Sequence, residues 1–234
     1  MVPLKMDVTD KDSILYAVKV IEENEGKLDI LVNNAGGVGA IYPLRAGFSD
    51  DSGSVRDERW SDSFFFNLRN FEDWSEIFKV NTTAAFFVTM AFVDLLKRGA
   101  KDGQTSSVIL VTSVGAILKC CNNKPAYAAS KAAIESLTNH LGAEFAYNGL
   151  AIRVNSILPG FFRTDILPPE TYVELNDLLR SGTPYVAGTG AVPMRRFGAE
   201  EEMAATAVYL GSPMSGYTNG SHIVVDGGWH LVTT

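Results

Sequence analysis

Tyr127 and Lys131 form a Tyr-x-x-x-Lys step, and Ser113 comes before them, just after the apolar run 108–111. On a helix, residues four apart share one face, so the two side chains would lie side by side. A tyrosine has an ordinary pKa of about 10, and we expect the Lys131 ammonium to lower the pKa of Tyr127. A serine hydroxyl at a strand end can hold a carbonyl oxygen while the tyrosine passes a proton. The three residues therefore predict proton transfer on a carbonyl or alcohol oxygen.

The composition is that of an ordinary globular protein. The chain has 234 residues, of which 46% are hydrophobic and 20% charged, so we expect one domain over residues 1–234. A net charge of −7 argues against nucleic-acid partners, which need a basic surface. The adjacent Cys120 and Cys121 form no disulfide framework. With no long apolar run and no apolar leader, we expect no membrane partner and a cytoplasmic location.

Short apolar runs alternate with amphipathic stretches along the chain. A helix after Thr9 or Asp10 has apolar positions at helical spacing, and residues 28–32 are typical of a buried strand. Residues 38–72 and 161–197 show no clear period apart from a short helix near 170–181. The predicted strands are 2–7, 28–32, 107–112, 152–157 and 222–225, and the predicted helices are 11–24, 73–97, 126–147, 170–181 and 200–210.

This alternation predicts an α/β fold with a parallel sheet covered on both faces. Ligands of such sheets bind at the carboxyl ends of the strands. Four groups of polar or turn-forming residues lie at these predicted ends, namely Asp7, residues 33–36, Ser113 and the pair Pro159-Gly160. We therefore expect them to form one site.

The ordered set of motifs resembles the short-chain dehydrogenase/reductase family, in its small single-domain form, through essentially the whole chain. The likeness to fungal members is a looser one. The residues that carry the family resemblance are Asp7-Val8, Asn33-Asn34-Ala35-Gly36, Asn81 in the run KVNTTAAF, Ser113, Tyr127, Lys131, Pro159-Gly160 with Thr164, and the tail VDGGW. A Tyr-x-x-x-Lys step alone is a weak signal, whereas the complete ordered set is specific.

The resemblance implies a three-layer, Rossmann-like, doubly wound sheet and an NADP- or NAD-dependent oxidoreductase that interconverts a secondary alcohol and a ketone. It implies a catalytic set of Asn81, Ser113, Tyr127 and Lys131. It also implies dimers or tetramers formed through helices 73–97 and 126–147, and a segment, 161–197, that closes over substrate. The implied cofactor-binding residues are Asp7, Val8, Asn33, Ala35, Gly36, Tyr127, Lys131, Pro159, Gly160, Phe162 and Thr164.

The chain departs from the family pattern at its beginning. The family opens with a strand, the turn T-G-x-x-x-G-x-G, a helix and a second strand, and nothing here matches them. That turn places the cofactor diphosphate on a helix N-terminus. We therefore expect an N-terminally truncated or shortened member with weak dinucleotide affinity, in which strand 28–32 lies at a sheet edge. The residue that selects NAD or NADP is not readable.

The residues are also compatible with two other functions. The same serine, tyrosine and lysine could catalyse an isomerisation, dehydration or cyclisation without hydride transfer, or the chain could be an inactive paralogue that pairs with a longer relative. We expect a small carbonyl or alcohol substrate with an apolar or aromatic body, and no metal site. The apolar residues of the closing segment behind this expectation are Phe161, Phe162, Ile166, Leu167, Tyr172 and Tyr185.

Overall fold

The protein is described by a computed structural model over residues 2–39, 70–101, 103–120, 124–166, 169–184 and 190–233. The strands are β1 (Ile30–Asn33), β2 (Ser106–Val111), β3 (Ile152–Pro159) and β4 (His222–Val225). The helices are α1 (Lys11–Glu25), α2 (Phe71–Phe78), α3 (Ala84–Gly99), α4 (Pro125–Tyr147), α5 (Pro169–Ser181), α6 (Glu200–Gly211) and α7 (Trp229–Val232). Most predicted elements are found within two residues of their expected bounds.

The four strands form one parallel sheet in the order β1-β2-β3-β4. Successive residues of β2 point to opposite faces, so Val108 and Leu110 join the core beneath α1, α3 and α4, whereas Ile109 packs beneath α6. The core therefore has a layer on each side of the sheet. The predicted α/β fold with a parallel sheet covered on both faces is confirmed.

Strand β1 is less buried than the sequence predicts. Ile30 and Val32 are 44% and 48% exposed, whereas Leu31 packs against the core on the opposite face. Among the described residues β1 pairs only with β2, so it lies at a sheet edge, as expected. The exposure of these two side chains shows that the prediction of a buried strand is wrong for one face of β1.

Residues 2–7 form no strand, which corrects the prediction. They lie outside the sheet, and their contribution to the core comes from Met6, with Val8 just after them. The Asp7 carboxylate accepts hydrogen bonds from the backbone N–H and the hydroxyl of Thr9, both at 2.8 Å, which fixes a turn at this point. Helix α1 then begins with Asp10 as its N-cap, one of the two predicted caps.

Helices α2 and α3 are joined by a π-helical turn, Lys79–Thr83, into one continuous run, Phe71–Gly99. Within the described part of the chain, this 29-residue run is the one helix long and apolar enough to cross a membrane by length and composition. Polar residues such as Thr89 and Asp94 interrupt it, so it is not an unbroken apolar run of the kind that the sequence analysis excludes. Of its most apolar window, 44% is buried inside the protein, with Phe92, Leu95 and Leu96 in the core.

The amino ends of the strands are held by a buried arginine. Arg153 is 3% exposed and its guanidinium donates to the hydroxyl of Thr105 at 2.6 Å and to the carbonyl oxygens of Leu210 and Thr218 at 3.0 and 3.3 Å. The Leu210 carbonyl, near the end of α6, also accepts from Ser107 at 2.8 Å. These bonds join β2, β3 and α6 at the end of the sheet opposite to the predicted site.

Candidate active site

The carboxyl ends of three neighbouring strands meet at one edge of the sheet. Asn33 is the last residue of β1, Ser113 follows β2 by two residues, and Pro159 ends β3. Tyr127 lies in the first turn of α4, and its side chain lines a cavity of about 130 Å³ together with Ser113. The remaining lining residues are Val38, Val114, Gly115, Lys124, Ala128, Gly160, Phe161, Phe162, Ile166, Tyr172, Leu175 and Trp229.

Ser113 and Tyr127 line the same cavity, and the Ser113 side chain interacts with the Tyr127 hydroxyl. Burial raises the pKa of Tyr127 above its ordinary value, and the interaction with Ser113 lowers it by less. The prediction that Lys131 lowers the pKa of Tyr127 is therefore wrong for the protein alone. The Lys131 ammonium lies 5.8 Å from the centre of the Tyr127 ring and is engaged elsewhere, so desolvation of the hydroxyl dominates.

Lys131 is buried, with 5% of its surface exposed, and its ammonium donates to the carbonyl oxygen of Val111 at 3.0 Å. Burial lowers its pKa to about 8, while the Glu135 carboxylate, one helical turn on, opposes that change. The backbone at Gly36 passes close to this ammonium, since a Cβ there would lie 3.4 Å from Nζ and 3.0 Å from Oδ1 of Asn81. A side chain at position 36 would crowd both groups.

Asn81 lies in the π-helical turn and is 1% exposed. Its Oδ1 accepts from the backbone N–H of Gly37 at 2.9 Å, and its Nδ2 donates to the Gly37 carbonyl at 3.0 Å and to the Ser130 hydroxyl at 2.9 Å. Ser130 in turn donates to the Tyr127 carbonyl at 2.8 Å. Asn81 thus ties the segment after β1 to the first turn of α4. Isolated π-helical turns are frequent at functional sites.

The glycine after β3 lies against the turn that follows β4. Gly160 donates its backbone N–H to the Val225 carbonyl at 2.9 Å, and a Cβ on Gly160 would stand 2.7 Å from Cα of Asp226. Phe162 forms a bridge to Gly198, and its ring leaves no room for a side chain there. The close approach explains why glycine follows Pro159 at this strand end.

The other predicted cofactor residues divide into two groups. Val8, Asn33 and Ala35 line one small cavity beside α3, where Asn33 donates to the Thr89 hydroxyl at 3.0 Å. Asp7 is exposed, and its carboxylate is bound to Thr9, which lowers its pKa. Because residues 2–7 form no strand, the prediction that Asp7 stands at a strand end is wrong.

Thr164, the last predicted cofactor residue, is bonded within its own segment. Its hydroxyl lies 3.1 Å from the Tyr172 hydroxyl, and its backbone N–H donates to the same oxygen at 3.2 Å. Three other residues named from the sequence, Leu167, Tyr185 and Cys121, lie outside the described residues.

Sequence reasoning missed several residues of this site. Ser130 and Gly37 complete the Asn81 network, Val111 supplies the carbonyl that binds Lys131, and Lys124 lines the cavity. The position of Ser130 beside Lys131 was the one available signal. The role of a backbone carbonyl cannot be read from residue type.

A larger cavity of about 330 Å³ lies between β4 and the start of α6. It shares Phe161 and Phe162 with the first cavity, but neither Ser113 nor Tyr127 lines it. Arg196 and Glu202 on its wall bind each other through two hydrogen bonds of 2.8 and 2.7 Å. The smaller cavity is the candidate active site because the residues predicted to transfer a proton line it.

Comparison with known proteins agrees with the resemblance in the sequence. A family model described as enoyl-(acyl carrier protein) reductase matches residues 1–230. The short-chain dehydrogenase/reductase SAT3 of Stachybotrys chartarum is 33% identical over 244 residues, which cover 97% of this chain and 84% of the relative.

Solved structures share the same fold. The Pseudomonas aeruginosa RhlG/NADP active-site complex has a TM-score of 0.71 at 28% identity, covering 97% of this chain and 75% of that one. A gluconate 5-dehydrogenase from Burkholderia cenocepacia, in complex with NADP and tartrate, has a TM-score of 0.72 at 26% identity, covering 97% and 74%. The predicted Rossmann-like fold is confirmed. The chain belongs to the short-chain dehydrogenase/reductase family of oxidoreductase enzymes.

Proposed function

We propose that the protein is an NAD(P)-dependent oxidoreductase that interconverts a secondary alcohol and a ketone, with Asn81, Ser113, Tyr127 and Lys131 as its working residues. The observation that carries the proposal is the meeting of Ser113 and Tyr127 on one cavity wall, with the Lys131 ammonium beside the tyrosine ring. The site lies at the carboxyl edge of a parallel sheet, where ligands of such folds bind.

Each residue has a role in moving the proton. In reduction, the Ser113 hydroxyl donates to the substrate oxygen and Tyr127 gives its proton to that oxygen. Burial keeps the pKa of Tyr127 above its ordinary value, so the hydroxyl is protonated at neutral pH and ready to act as an acid. Lys131 places a cation beside the phenol, and Asn81 holds Gly37 and Ser130 in position. When bound, the nicotinamide cofactor supplies or accepts the hydride.

The residues at the nicotinamide end fit such a cofactor. The close approach of Gly36 to Asn81 and Lys131, and of Gly160 to Asp226, leaves backbone rather than side chains at the strand ends. Two similar structures, RhlG and the Burkholderia cenocepacia dehydrogenase, are complexes with NADP, which supports NAD(P) as the cofactor.

The diphosphate end fits less well. The N-terminus of α1 is closed by the Asp10 carboxylate, which accepts from the backbone N–H groups of Asp12 and Ser13 and would repel a phosphate. The sequence contains no match to the turn T-G-x-x-x-G-x-G that would hold the diphosphate. Weak dinucleotide affinity therefore stays a prediction, measured by titration with NADPH and NADH, and micromolar binding would contradict it.

The test follows cofactor absorbance while the protein is incubated with NADPH or NADH and a panel of ketones. We expect turnover, and we expect Tyr127→Phe to lower it by roughly 10²- to 10⁴-fold, the usual contribution of a positioned acid. Tyr147→Phe is the matched control because Tyr147 lies on the same helix and is 90% exposed. Product formed without cofactor consumption would instead support the non-redox alternative. Complete inactivity together with tight association to a longer homologue would support an inactive paralogue.

We also propose a homodimer or homotetramer formed through the two long helical segments, Phe71–Gly99 and Pro125–Tyr147. The support is a set of exposed apolar side chains on α3, namely Phe86, Phe87 and Met90, which are 37%, 37% and 43% exposed. Light scattering after size exclusion gives the mass in solution. A monomer at micromolar concentration would contradict this proposal.

A further inference from the structure

The substrate cavity contains one cationic side chain among apolar neighbours. Lys124 lines it three residues before Tyr127, and Phe161, Ile166 and Trp229 form much of the remaining wall. The lining residues include no aspartate or glutamate among the described positions. Apart from Lys124 and Tyr127, the other titratable residue of the described wall is Tyr172, whose hydroxyl interacts with the Thr164 hydroxyl at 3.1 Å.

Lys124 has no counter-ion in the described part of the chain. It is partly buried, and among the described residues its ammonium makes no salt bridge or hydrogen bond, so burial is the one cause that changes its pKa. Lys124 is the N-cap residue of α4, but its side chain does not cap the helix. Burial lowers its pKa because removing an ammonium from water disfavours the charged form. A partly desolvated cation without a partner is unfavourable, so packing does not explain this lysine.

The second lysine of the site cannot serve the same purpose. The Lys131 ammonium is already bound to the Val111 carbonyl at 3.0 Å and is held beneath the tyrosine ring. An anionic group entering the cavity therefore meets Lys124 as the available cation of the wall. Since apolar side chains form much of the wall, the attraction between the two charges is stronger there than between fully solvated groups at the surface.

We propose that Lys124 determines substrate specificity by binding a carboxylate of the substrate, while the apolar body of that substrate packs on Phe161 and Trp229. This inference rests on the proposed function and narrows its substrate class to carbonyl compounds or alcohols that carry an acid group. The sequence predicts an apolar or aromatic substrate. The cavity wall adds the expectation that this substrate carries one negative charge.

The test uses ketones in matched pairs that differ in one charge, 4-acetylbenzoate with 4-acetylbenzamide and 3-acetylbenzoate with 3-acetylbenzamide. Calorimetric titration of the wild-type protein is expected to show that at least one carboxylate binds roughly 10- to 100-fold more tightly than its amide. Lys124→Met, which keeps the length of the side chain, should remove this preference and leave amide binding unchanged. Lys124→Arg should retain a preference.

Lys119→Met is the matched control because Lys119 is an exposed lysine five residues before Lys124 in the sequence, and its loss changes the net charge equally. Equal affinities for carboxylate and amide in the wild type, including no binding of either, would overturn the inference. So would a preference that survives Lys124→Met or that Lys119→Met also abolishes.

Binding and turnover separate this inference from the proposed function. With turnover, Lys124→Met should lower kcat/KM for the carboxylate ketones mainly by raising KM. A carboxylate preference in binding without cofactor-dependent turnover would refute the redox function but leave the anion site standing. Turnover of both ketones without a preference for the carboxylate would support the redox function and refute the anion site.

Discussion

Replacing Lys131 by methionine should stabilise the protein at neutral pH while removing its activity. The ammonium is 5% exposed, and burial lowers its pKa from 10.5 to about 8. At about 1.4 kcal/mol per pH unit, this difference corresponds to an unfavourable free energy of about 3 kcal/mol for the charged form in the folded protein. A methionine avoids this cost, but it also loses the hydrogen bond to the Val111 carbonyl, which contributes about 2 kcal/mol. We therefore expect a gain of about 1 kcal/mol at pH 7, which is roughly 2–4 °C in Tm.

The pH dependence gives the sharper test. Below pH 8, Lys131 is protonated in both the folded and the unfolded protein, so the full burial penalty is present. Between about pH 8 and 10.5 the unfolded chain binds the proton and the folded protein does not, so wild-type stability rises with pH through this window. The methionine variant lacks this rise. Its advantage should therefore fall by about 2–3 kcal/mol between pH 7 and pH 10 and change sign.

Urea unfolding of the two proteins at pH 7, 8, 9 and 10 measures this difference, because all other titrating groups are shared. Lys119→Met serves as the control, since it removes one ammonium at an exposed position and leaves the buried Lys131 in place. A Lys131→Met difference that does not vary with pH would refute the reasoning, because burial would then not govern the charge of Lys131.

Two further predictions concern the neighbours of this lysine. Asn81→Ala removes the hydrogen-bond partner of two Gly37 backbone groups and of the Ser130 hydroxyl, so it should lower the unfolding free energy by about 3 kcal/mol. The control is Asn24→Ala, at an exposed position of α1, which should change the unfolding free energy by less than about 0.5 kcal/mol. A loss below about 1 kcal/mol in urea unfolding would contradict the Asn81 network. Glu135→Gln removes the carboxylate that raises the pKa of Lys131, so the rise of stability should begin below pH 8. An onset unchanged from the wild type would show that Glu135 does not act on Lys131.

The sequence predicts the helices and three of the sheet strands well because their apolar spacing is strong. It fails at residues 2–7, where the hexamer VPLKMD looks like a short strand but has no neighbouring strand to pair with in the described sheet. It also overestimates the burial of β1, since exposure of Ile30 and Val32 depends on what covers the sheet rather than on β1 itself.

The sequence predicts which candidate residues lie together but not their electrostatics. The spacing of Tyr127 and Lys131 brings their side chains together, as expected for one helix face. The direction of the Tyr127 pKa was wrong because desolvation outweighs a lysine whose ammonium is directed to Val111. Lys124 carried no signal at all, since a single lysine before a helix is ordinarily solvated.

The bonds of Arg153 give the two ends of the sheet different tolerance to change. This guanidinium joins β3 to Thr105, Leu210 and Thr218 far from the cavity, and lysine cannot reproduce its forked geometry. Libraries that vary the enzyme's substrate scope should therefore leave the amino ends of the strands unrandomised. Substitutions at the amino ends of the strands would yield unfolded proteins. Substitutions along the cavity wall would change which ligands bind while the fold stays intact.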